Sequence, residues 1–135
     1  MKILGIEHIG IAIFSHGSND KFWNLALGLK HRNTETIEDQ KVKTDIYETG
    51  SGKIELLEAI DPNSPVSKFI TNKGVGIHHL CLEVDNIRSA IKELIDKNIN
   101  MIDHEPRVGA EGYLVAFIHP HSTGGVLVEL AEKQK

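Results

Sequence analysis

The sequence holds one cysteine, four prolines and one tryptophan among 135 residues, and aromatic side chains make up only 5% of it. A single thiol, Cys81, excludes an intrachain disulfide framework and a zinc ribbon. Scarce proline excludes a Pro-rich filament. No apolar run approaches the roughly 20 residues of a membrane-crossing helix, so no membrane partner is expected. Glu7 and His8 come too early for the apolar stretch of a signal peptide, which makes a cytoplasmic protein the expectation. Lys and Arg number 15 against 19 Asp and Glu, a formal net charge of −4, and the basic stripe that a nucleic-acid surface needs is missing. No phosphate loop and no dinucleotide glycine fingerprint opens a helix. The one excess is histidine, with eight residues, which points to metal or proton chemistry without locating it. Apolar residues at 40% and charged residues at 25% describe an ordinary folded domain.

The chain repeats itself once. His8-Ile9-Gly10-Ile11-Ala12-Ile13 is matched 71 residues later by His79-Leu80-Cys81-Leu82-Glu83-Val84. Both alternate strongly apolar residues with small or polar ones, the period of a strand covered on one face. Lys53 to Glu58 is matched by Leu127 to Glu132, which aligns Glu55 with Glu129. Each histidine strand precedes a helical pattern. Ser18 to Leu29 carries Phe22, Leu25, Ala26 and Leu29 at helical spacing and ends near Gly28. Asp85 to Ile99 carries Ile87, Ile91, Leu94 and Ile95 on one stripe, with Asp85 as N-cap. Further strands are expected over 30–37 and 41–49, and in the second half over 101–105 and 114–119. The pattern predicts an α+β fold of two βαβββ modules, about 1–60 and 75–135, forming a curved mixed sheet around a metal-binding cleft. The linker 61–76 holds Pro62 and Pro65 and a turn of helix at Val66 to Thr71. One module alone has about half a core, so the two are expected to share one.

The duplication brings His8, Glu55, His79 and Glu129 to corresponding strand positions. Two imidazoles and two carboxylates without a thiolate suit one divalent ion, and four protein donors leave coordination positions open for a substrate. A lone strand histidine is more often a hydrogen-bonded core residue, and the repetition is what favours ligation. His78 falls on the opposite face and is expected to pack locally.

These paired strands, the repeated modules and the glutamate near each module's end resemble the vicinal oxygen chelate (glyoxalase/bleomycin resistance/dioxygenase) superfamily. Within it, Gly76-Ile77-His78-His79-Leu80-Cys81-Leu82-Glu83-Val84-Asp85-Asn86-Ile87 resembles methylmalonyl-CoA epimerases. So do Pro106-Arg107-Val108-Gly109-Ala110, Phe117-Ile118-His119-Pro120 and Gly124 to Leu130. The resemblance implies that His8, Glu55, His79 and Glu129 ligate a divalent Co, Ni, Mn or Zn ion. It also implies a second acid–base carboxylate ahead of Val42, with Asp39 as the match and Glu38 as the alternative. The family usually has Glu at this place, one methylene longer. Glu111 stands where related epimerases commonly show His, and His121 where they commonly show Lys.

The implied reaction is epimerisation of methylmalonyl-CoA through an enolate, with Glu129 and Asp39 moving the C2 proton. A small-molecule thioester would be the partner, and a homodimer the family's usual assembly. Glyoxalase I (lactoylglutathione lyase) is the alternative that shares the same ligands. A non-catalytic ligand-binding or resistance protein of the same fold is the alternative of another class.

Overall fold

The structure is a computed structural model that describes residues 1–17 and 21–135. Eight strands are present among the described residues: β1 (Ile3–Ile13), β2 (Lys30–Ile37), β3 (Val42–Glu48), β4 (Lys53–Ala59), β5 (Gly76–Val84), β6 (Arg107–Val108), β7 (Leu114–Ile118) and β8 (Val128–Glu132). The α-helices α1 (Pro65–Lys73) and α2 (Ile87–Asp96) lie between strands. No described helix is long and apolar enough to cross a membrane. The chain divides into two compact units, residues 8–78, and residues 79–135 together with 1–7.

In the first unit the strands run β2-β3-β4-β1 across a mixed sheet. β1 lies parallel to β4, while β4, β3 and β2 are antiparallel neighbours. Ile13, Tyr47 and Leu56 form a buried cluster on one face, with Ile11, Ile54, Trp23 and Leu29 packed against it. The second unit repeats the plan as β5-β8-β7-β6, with β5 parallel to β8 and the remaining pairs antiparallel. Its core gathers Val84, Ile87, Ala90, Ile91, Met101, Ala116, Ile118 and Leu130.

Several elements differ from the sequence expectation for local physical reasons. The expected helix start at Ser18 lies outside the described residues, and the described part, Lys21–Ala26, is π-helical. Its wider turn is visible in the hydrogen bond from Leu27 N–H to the carbonyl of Phe22, at 2.9 Å. That winding rotates the apolar stripe: Phe22 and Leu25 are 51% and 75% exposed, and Trp23 packs inward instead. Gly28, at φ 73°, follows and takes a left-handed conformation that costs a glycine little.

The N-cap of α2 falls one residue later than expected. Asn86 caps it by accepting from Ser89 N–H at 2.9 Å, while the Asp85 carboxylate accepts from Lys2 N–H at 2.9 Å. Ile87, Ala90 and Ile91 are buried, whereas Ile95 has drifted round to the exposed flank. The strand expected over 101–105 reduces to a single bridge between Met101 and Ile118, and the pairing strand is Arg107–Val108. Asp103 explains the break, because its carboxylate accepts from Phe117 N–H at 2.9 Å, capturing a donor that strand pairing would use. In the 61–76 segment, Ser64 and Pro65 start a helix of nine residues, longer than the single turn expected.

Candidate metal centre

In the first unit, β1 presents His8, Gly10 and Ala12 on one face by the two-residue alternation of a strand. The parallel register sets Gly10 beside Glu55, and β3 sets Ile46 opposite the same glutamate. His8 and Glu55 therefore emerge on a common face. Nδ1 of His8 lies 3.1 Å from Oε2 of Glu55, and both side chains are buried.

The second unit repeats this arrangement. Cys81 lies beside Glu129 in the parallel β5–β8 register, and His79 shares the face of Cys81 two residues away. Nε2 of His79 lies 3.1 Å from Oε1 of Glu129, with both side chains buried. Phe117 sits opposite Glu129 in the β7–β8 ladder, and its ring stacks edge-on against His79 at 5.6 Å between centroids. That contact limits rotation of the imidazole.

The donor chemistry fits a divalent cation. Each unit buries a carboxylate against an imidazole, and a buried carboxylate is costly unless a positive charge compensates it. Nitrogen and oxygen donors of this kind suit Zn, Ni, Co or Mn.

The acidic pair Glu38 and Asp39 lies in the 3₁₀ turn Glu38–Gln40 between β2 and β3, and both residues are exposed. The turn closes through Lys41, at φ 54°, whose N–H bonds the Glu38 carbonyl. Sequence reasoning did not single out Ser64, which anchors this turn. Its fully buried hydroxyl donates to the Gln40 carbonyl at 3.2 Å and accepts from Val66 N–H at 3.2 Å, capping α1. The signal available was a serine directly before a proline at a helix start. His78 packs its ring edge-on against Phe69 at 4.9 Å. Nδ1 of His119 accepts from His121 N–H at 3.0 Å within a 3₁₀ turn, and Glu111 sits in a left-handed conformation at φ 57°.

Known proteins share both the sequence and the architecture. Residues 7–117 match the family model for the Glyoxalase/Bleomycin resistance protein/Dioxygenase superfamily. The Bacillus subtilis protein YqjC, described as uncharacterized, is 42% identical over 127 residues, spanning 94% of this chain and 91% of that one. The mitochondrial methylmalonyl-CoA epimerase of Mus musculus is 34% identical over 132 residues, spanning 97% of this chain and 74% of that one. A variant of Streptomyces coelicolor methylmalonyl-CoA epimerase, solved in complex with 2-nitronate-propionyl-CoA, superposes with a TM-score of 0.93 at 28% identity, over 99% of this chain and all of that one. With its duplicated strand plan and this family match over most of its length, the chain belongs to the glyoxalase/bleomycin resistance protein/dioxygenase superfamily.

Proposed function

We propose that the protein is a metal-dependent epimerase of methylmalonyl-CoA, with His8, Glu55, His79 and Glu129 holding one divalent ion. The observation that carries this reading is the duplicated buried His–Glu pair, at 3.1 Å in each unit, in a chain similar to methylmalonyl-CoA epimerases over nearly its whole length. The C2 proton of the substrate lies between a thioester and a carboxylate, so its removal places negative charge next to the thioester carbonyl. The bound ion would supply Lewis-acid stabilisation of that charge.

The remaining chemistry belongs to side chains. Inversion at C2 needs a proton taken from one face and returned on the other, which requires two acid–base groups. Glu129 and Asp39 fill these roles in this proposal. The Ser64 tether holds the Asp39 turn in place, and a fixed turn loses less entropy when it meets substrate. Asp39 is one methylene shorter than the glutamate usual at this place.

The test is a pair of assays on cobalt-loaded protein. Interconversion of the two methylmalonyl-CoA epimers, followed on a chiral readout, is expected at enzymatic rates, with no formation of lactoylglutathione from the methylglyoxal–glutathione hemithioacetal. Lactoylglutathione formation without epimerisation would assign the protein to the glyoxalase I reaction. Binding of methylmalonyl-CoA with neither turnover would make it a ligand-binding protein of this fold.

A further inference from the structure

The second unit carries a cation on the same sheet face as its His–Glu pair. Phe117 stands opposite Glu129 in the β7–β8 ladder, and Val115, two residues away on β7, shares its face. Arg107 pairs with Val115 from the neighbouring strand β6. Cross-strand partners emerge on one side of a sheet, so Arg107 joins Glu129 and His79 there. The side-chain contacts agree with this register. The Arg107 guanidinium carbon lies 5.9 Å from the centre of the Phe117 ring, the same ring that meets His79 edge-on. Phe117 is buried and touches both the cation and the imidazole.

Arg107 is oriented without being satisfied. Its Nε lies 3.4 Å from Oδ1 of Asp103, yet this buried nitrogen makes no hydrogen bond. Asp103 has its own anchor, because its Oδ2 accepts from Phe117 N–H at 2.9 Å. The aspartate therefore supplies charge and direction while a buried donor is left open, which costs free energy until an acceptor arrives. The Arg107 side chain is 33% exposed, so a ligand can approach it from solvent. A guanidinium presents five donors in a planar fork, and a planar carboxylate is its natural bidentate complement.

We propose that Arg107 receives the free carboxylate of the substrate and so selects malonyl-type thioesters over simple acyl thioesters, a role that rests on the epimerase reading for the identity of the thioester. Such a substrate has two acceptors flanking C2, the thioester oxygen and the carboxylate. The sheet face offers each a different partner, the His79–Glu129 pair and Arg107, with the apolar Phe117 ring in contact between. Arg107 also bears on the chemistry. Removing the C2 proton beside a carboxylate gathers two negative charges on one small group, and a guanidinium on that carboxylate offsets part of the cost. A lysine would bring the charge without the fork.

The test is isothermal titration calorimetry on the cobalt-loaded whole protein with malonyl-CoA and propionyl-CoA, which carry a carboxylate and a methyl group, respectively, on C2. Arg107→Gln is expected to weaken malonyl-CoA binding by roughly 10- to 100-fold and propionyl-CoA binding by less than about twofold. Arg107→Lys is expected to fall between Arg107→Gln and the unaltered protein. An unchanged preference for malonyl-CoA in Arg107→Gln would overturn the proposal. Equal weakening of both thioesters would overturn it too, because Arg107 would then act on the fold rather than on the carboxylate. Epimerisation by the unaltered protein is read separately. An Arg107-dependent preference in a protein that does not epimerise supports the carboxylate site and defeats only the epimerase reading. Epimerisation with a preference independent of Arg107 defeats only the carboxylate site.

Discussion

Replacing Ser64 by Ala removes two interactions at once, and their sum can be worked from the structure. The hydroxyl caps α1 through Val66 N–H, and loss of an N-cap costs about 1 kcal/mol. It also satisfies the Gln40 carbonyl, and leaving a part-buried acceptor without its donor costs about 1 kcal/mol more. The total of about 2 kcal/mol corresponds to a urea midpoint shift of about 1.3 M for a slope of about 1.5 kcal/mol/M. Asn86→Ala provides the comparison, because Asn86 caps α2 through Ser89 N–H from an exposed position. It is expected to cost about 1 kcal/mol. Urea unfolding followed by circular dichroism, with slopes compared across the variants, measures both. Equal shifts for Ser64→Ala and Asn86→Ala would refute the idea that the tether to Gln40 stabilises the turn. Epimerase kinetics on the same protein should show a fall in kcat larger than any change in KM, because the tether holds the Asp39 turn rather than touching substrate.

Other outcomes follow from the same geometry. Asp39→Asn is expected to lower kcat by roughly 10²- to 10⁴-fold, the usual worth of a general acid–base group, with cobalt content unchanged by elemental analysis; unchanged turnover would remove Asp39 from the reaction. Ile91→Ala, in the buried face of α2, should destabilise by about 2–5 kcal/mol in urea unfolding, whereas the same change at exposed Ile95 should cost under about 1 kcal/mol. Burial alone would raise the Asp45 carboxyl, but the bonds from Thr34 and His31 and the charges on His16 and His31 hold it below its unfolded value. Its contribution to stability is thus complete above about pH 4 and is lost as pH falls through the lower folded value. Urea midpoints between pH 7 and pH 2.5 should therefore fall more steeply for the unaltered protein than for Asp45→Asn, and parallel curves would contradict this.

Much of the strand plan was legible in the sequence, because a strand covered on one face leaves a period of two. β2 has the expected bounds, Lys30–Ile37, and β3 falls within the expected 41–49. The pairing of His8 with Glu55, and of His79 with Glu129, was legible for a different reason: duplication makes the same residues recur at matched register. Features decided by distant partners were not. Asp85 reads as an N-cap, but the Lys2 N–H takes its carboxylate, and Asn86 becomes the cap instead. The helical stripe of Phe22 and Leu25 assumes 3.6 residues per turn, and the π-helical winding moves both outward. His16, His31 and Asp45 stand in three separate segments without any shared period, so only the folded chain brings them together.

The central claim is that the two buried His–Glu pairs serve a single ion. Metal content of two variants, His8→Gln in one unit and His79→Gln in the other, tests it most directly. Each alone is expected to lose the same full equivalent of cobalt, with the double variant losing no more than either, and epimerisation is expected to vanish in all three. Losses that add between the two units, one for each pair, would show two independent sites and contradict the account.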